Sequence, residues 1–77
     1  MSREAKIREI VMRYAKKGDE PGVEDSLFES GVLDSFALPD MVSAIEQEFG
    51  VSIPDSDLNP RKFDSIARID AYLETKL

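Results

Sequence analysis

The sequence predicts an all-α protein, a small antiparallel helical bundle of three long helices plus one or two short ones, with a long ordered loop between helices 1 and 2. Three observations lead there. Apolar residues recur at i, i+3, i+4, i+7 spacing in three separated stretches. The best strand candidate, Val51-Ser52-Ile53, is three residues long and is cut off by Pro54. The 77 residues, 42% apolar and 34% charged, have the balance of a folded chain. A chain this short buries only roughly 60–65% of its unfolded surface, so one domain over residues 1–77 with a single core is the expectation.

The first helix is expected from about Arg3 to Lys17. Ile7, Ile10, Val11 and Tyr14 form its stripe, Ser2 is its candidate N-cap, and Glu4 lies in its first turn. Arg13, Lys16 and Lys17 sit where the macrodipole favours cations, and Gly18 ends the helix. From Gly18 to Asp34 the chain is irregular, punctuated by Pro21, Gly22 and Gly31, yet Val23, Leu27, Phe28, Val32 and Leu33 need burial. Ser26-Leu27-Phe28-Glu29 matches a capping box and predicts one short turn.

The second helix has the stripe Leu38, Met41, Val42, Ile45 and Phe49, with Gly50 as its C′ residue. If Asp34 were the N-cap of a regular helix, Pro39 would fall in the second turn and oppose a carbonyl. Regular helix is therefore expected near Leu38, behind a tighter turn over residues 35–38. Asp55 to Leu58 predicts a turn of helix, stopped by Asn59-Pro60. Asp64 or Ser65 caps the last helix, whose stripe is Ile66, Ile69, Tyr72 or Leu73, and Leu77.

Composition excludes several chemistries. Without Cys there is no disulfide, thiolate metal site or iron–sulfur cluster; without His the usual neutral-pH base and commonest zinc ligand are missing. A net charge of −6 disfavours nucleic acid and anionic membranes and favours basic protein surfaces. There is no apolar run long enough to span a bilayer, and MSREAKIREI lacks a signal peptide's core, so residence in the cytoplasm is expected. Asp55, Asp57 and Asn59 resemble the opening of a calcium loop, but Pro60 and Ile66 stand where that loop needs Gly and a bidentate Glu. No metal site is expected. Asp40, Glu46 and Glu48 have no reason to acquire split pKa values on a solvated helix; they read as an acidic face able to meet a basic patch.

Ser35 stands at the junction of the long loop and the second helix. Backbone N–H groups at a helix start favour an attached phosphate there, whereas the ordinary reading of Asp34-Ser35 is a helix cap. With no His and no G-x-S-x-G elbow, Ser35 is a poor nucleophile on its own, so a free-standing hydrolase is disfavoured and any chemistry at Ser35 needs an outside enzyme.

The run Leu27-Phe28-Glu29-Ser30-Gly31-Val32-Leu33-Asp34-Ser35-Phe36 resembles the modification site of acyl carrier proteins. Ala44-Ile45-Glu46-Gln47-Glu48-Phe49-Gly50-Val51-Ser52-Ile53-Pro54-Asp55 is similar to that family's acidic helix end and the Ile-Pro after it. The stretch from Phe63 to Leu73 resembles its last helix.

The resemblance implies a non-enzymatic carrier. Ser35 would receive 4′-phosphopantetheine from coenzyme A through a magnesium-using phosphopantetheinyl transferase, with Asp34 positioning that enzyme or its metal. Phe36, Asp40, Ser43, Glu46 and Gln47 would face partner enzymes, and Phe28, Val42 and Ile45 would shelter an acyl chain. Phe36 in place of Leu, Pro39 and Ser43 depart from the commonest fatty-acid carriers and favour a stand-alone carrier for a dedicated pathway. The alternatives are a D-alanyl or other aminoacyl carrier loaded by an adenylating ligase, and an unmodified helical interaction module.

Overall fold

The computed structural model describes residues 3–16 and 20–77, and within them the chain is helical, with no strand among the described residues. Three helices pack into a compact globule: α1 (Arg3–Tyr14), α2 (Leu38–Phe49) and α3 (Ile66–Lys76). Two single turns of 3-10 helix, Ser35–Ala37 and Asp55–Asp57, precede α2 and fall between α2 and α3.

The core draws on every helix and on the segments between them. Ile7, Ile10 and Val11 of α1 meet Leu38, Met41, Val42 and Ile45 of α2 and Ile66, Ile69 and Leu73 of α3. Leu27, Val32 and Leu33, from between α1 and α2, are buried with them, so this connection is itself a wall of the core. Lys6 near the start of α1 reaches Glu48 near the end of α2. Just beyond α1, Lys16 reaches Asp34 just before the Ser35–Ala37 turn. Arg3 pairs with Asp70 and Glu74 in the later part of α3.

α1 is shorter than the sequence predicts. It ends at Tyr14 because the Lys16 N–H leaves the helical ladder and donates to the Val32 carbonyl at 2.8 Å. The expected cap Ser2, and Lys17 and Gly18 at the other end, lie outside the described residues. Downstream, the Ser26 hydroxyl accepts the Glu29 N–H at 3.1 Å, which makes the short turn its motif predicts. The same hydroxyl donates to the Asp64 carboxylate at 2.8 Å, and the Leu27 N–H donates to the Asp64 carbonyl at 2.5 Å. Asp64 thus ties the connection down, and Ser65 is the cap of α3, its hydroxyl accepting the Arg68 N–H at 3.1 Å.

The start of α2 follows Pro39. Its ring sits at the second α-helical position, where the missing N–H costs no intrahelical bond, and the 3-10 turn absorbs the entry. Gly50 takes the left-handed conformation (φ 65°), and its N–H and that of Val51 both donate to the Glu46 carbonyl, at 2.9 and 3.2 Å. α3 departs from expectation at its end. Leu77 lies beyond the last helical residue and is 63% exposed, because Leu73 is the final stripe position that faces the core. Phe63, which belongs to no periodic stripe, is fully buried and packs edge-on to Tyr72 with ring centroids 5.3 Å apart.

Candidate carrier site

Ser35 lies where the buried connection turns into the helical entry to α2. Leu33 is buried one step before Asp34, and Leu38 one turn later, so the intervening Asp34-Ser35-Phe36 is held at the surface between two core anchors. Ser35 is exposed and Phe36 is 88% exposed, the most open large apolar side chain in the described chain.

The cap is Asp34. One carboxylate oxygen accepts the N–H of Phe36 at 2.9 Å and of Ala37 at 3.2 Å, while the other pairs with the Lys16 ammonium at 2.6 Å. The Lys16 contact and these backbone donors hold the Asp34 carboxyl below its usual range. Two of the backbone donors that the sequence offers to a phosphate at Ser35, those of Phe36 and Ala37, are therefore already engaged by Asp34. Ser35 is relieved of capping and keeps its place beside an open cleft of about 470 Å³ lined by Lys16, Phe28, Gly31, Leu33, Asp34, Ser35 and Pro60.

The remaining predicted residues separate into two groups. Asp40, Ser43 and Gln47 are exposed on α2 and line a shallow groove of about 560 Å³ against α1, together with Arg13, Tyr14, Ala44 and Glu48. Glu46 is half-buried at the edge of that helix face, and its carboxylate accepts the Ile53 N–H at 2.8 Å, which ties the segment after α2 to its last turn. Val42 and Ile45 are closed into the core, whereas Phe28 is half-buried and lines the Ser35 cleft. The three residues expected to shelter an acyl chain do not share that cleft.

Lys16 is the site residue that sequence reasoning missed. It reads as a C-terminal cation of the first helix, and only the chain's turn towards Val32 carries it to Asp34. Two side chains of the calcium-like run, those of Asp57 and Asn59, are engaged within the chain. Asp57 accepts the Tyr72 hydroxyl at 2.6 Å and the Lys62 ammonium at 2.9 Å, and the Asn59 side chain accepts the Arg61 N–H at 2.8 Å.

Residues 5–73, nearly the whole chain, match the sequence model of a family described as "Phosphopantetheine attachment site". The chain belongs to the acyl carrier protein family. Across 77 residues it is 34% identical to an acyl carrier protein of Nitratidesulfovibrio vulgaris, covering 99% of each chain. Over 53 residues it is 26% identical to the D-alanyl carrier proteins of Lactobacillus acidophilus and Lactobacillus helveticus, covering 69% of this chain and 67% of each of those. Carrier proteins of this family are not enzymes, and membership implies a covalently attached 4′-phosphopantetheine. The residues around Ser35 fit such a group: an exposed hydroxyl, a neighbouring cation and a cleft whose volume falls within the range of about 300–1,000 Å³ typical of small-ligand sites.

Proposed function

We propose that residues 1–77 form one carrier domain in which Ser35 bears 4′-phosphopantetheine and presents acyl intermediates to partner enzymes of fatty-acid, polyketide or another dedicated biosynthetic pathway. The observation that carries this reading is the exposed Ser35 hydroxyl between two buried anchors, with Asp34 doing the capping a serine would otherwise do. The bound arm supplies a terminal thiol, which the cysteine-free chain lacks, to hold the cargo as a thioester.

The chain's own residues have the remaining work. Asp34 rigidifies the backbone on either side of the hydroxyl and offers a carboxylate to the transferase or its metal. Having no His, the chain relies on the transferase for the base that deprotonates Ser35. Phe36 and the Asp40, Ser43, Gln47 face of α2 form the docking surface, with Glu46 at its edge supporting the turn beyond the helix. Phe28, Val42 and Ile45 would have to be brought together by helix separation to shelter an acyl chain. We read the three helices as the antiparallel bundle of such carriers, acting as a cytoplasmic monomer.

A second reading, an aminoacyl carrier loaded with D-alanine by an adenylating ligase, is favoured by the two D-alanyl relatives and by Phe36 after the serine. Both readings share Ser35. Incubation with coenzyme A, magnesium and a promiscuous phosphopantetheinyl transferase, read by intact mass, tests them together. One phosphopantetheine increment on the wild type and none on Ser35→Ala is expected. A folded wild type that several transferases leave unmodified would instead favour an unmodified interaction module.

A further inference from the structure

Attaching a phosphodiester to Ser35 places a new anion next to the Asp34 carboxylate. In a low-dielectric or partly screened setting two adjacent anions repel unless a cation lies between them. The backbone N–H groups at the helical entry do not fill that need, because those of Phe36 and Ala37 already donate to Asp34. The basic side chain lining the Ser35 cleft is Lys16, whose ammonium lies 2.6 Å from Asp34 and carries three donors, of which one carboxylate oxygen occupies one. Its side chain is 64% exposed, which leaves it room to turn from the carboxylate towards the serine.

We propose that Lys16 is the residue that holds the phosphodiester of the arm, bridging it to Asp34. The inference deepens the reading of Ser35 as the attachment residue and rests on it. Lys16 acts here as a positioning residue. Held this way, the phosphate end of the arm would lie at the cleft that Lys16, Phe28, Leu33 and Pro60 line beside Ser35. The position of Lys16 just outside α1 suits this role: its N–H, bonded to the Val32 carbonyl, fixes the backbone from which the side chain reaches the site.

The test uses the full chain loaded enzymatically with 4′-phosphopantetheine, loading being verified by intact mass. The phosphorus resonance of the attached phosphodiester is recorded in wild type, Lys16→Gln and Lys16→Arg across a sodium chloride series. Lys16→Gln is expected to shift that resonance and flatten its salt dependence, while Lys16→Arg stays close to wild type. In the wild type, the Lys16 side-chain nitrogen resonance is expected to shift between unloaded and loaded protein, a comparison that needs no variant to fold. Superimposable phosphorus signals from loaded wild type and loaded Lys16→Gln, with an unmoved Lys16 nitrogen, overturn the role of Lys16 and leave the carrier reading standing. Failure of the wild type to gain the mass increment overturns the carrier reading and this inference with it.

Discussion

At the scale of single residues, Asp34 and Ser35 divide labour that one side chain performs in many helices. Asp34 meets the backbone donors and Lys16, so Ser35 contributes a hydroxyl without contributing a cap. Ser35→Ala is accordingly expected to change stability by less than about 0.5 kcal/mol, the range of exposed substitutions that break no special contact. Denaturant unfolding checks this, and a loss of a full cap's worth would show Ser35 to be structural. Tyr72 offers a second residue-scale prediction. Burial, then its hydrogen bond to Asp57, pushes its pKa up to about 12. The folded protein keeps a proton that the unfolded chain releases near 10, so this contribution is full below about pH 10 and is lost as pH rises towards about 12. An ultraviolet phenolate titration is expected to show a late step that Tyr72→Phe removes; loss of a step near 10 instead would contradict a Tyr72 held protonated by burial and Asp57.

The helices themselves differ in how far local chemistry dictates them. α2 is written almost entirely in its own residues: Pro39 sets the 3-10 entry, the apolar stripe sets the buried face, and Gly50 closes the end. An added Cβ at Gly50 meets nothing within 4 Å, so Gly50→Ala is expected to lose about 1 kcal/mol through the left-handed backbone alone. Chemical denaturation measures it, and a loss of several kcal/mol would mean that packing is disturbed as well. This also explains which parts of the fold were legible. The stripes of α1, α2 and α3, the Ser26 turn and the displaced start of α2 follow from neighbours in sequence. The end of α1 does not, since Lys16 is drawn off by the distant Val32 carbonyl. Phe63 is buried by a fold that brings it under Tyr72 rather than by any period, and Leu77 continues a period past the point where there is core to meet. At the candidate site, the position of Asp34-Ser35-Phe36 at the entry to α2 follows from order along the chain, while the contact of Lys16 with Asp34 requires the third dimension.

Taken whole, the molecule is electrically divided. Residues 18–60 contain no Lys or Arg and eleven of the sixteen acidic residues, so the cations sit in the α1 stretch and in the region from Arg61 to Lys76. Ser35 and α2 fall in the acidic stretch of the sequence, a bias that would steer a basic partner towards the proposed attachment residue even though Lys16 lies at Asp34 and Arg13 lines the α2 groove. Asp40 is exposed and free of the structural bond that occupies Glu46, which makes it the cleaner position to reverse. Asp40→Lys is expected to slow association with the transferase, with the larger effect at low salt. Stopped-flow association rates indifferent to both the reversal and salt would contradict electrostatic steering by α2. Whether Ser35 is the attachment residue is read from fragmentation mass spectrometry of the transferase-treated protein, which locates the added group among the chain's serines. The increment is expected on Ser35 alone. Its appearance on any other serine, with Ser35 unmodified, would contradict the assignment.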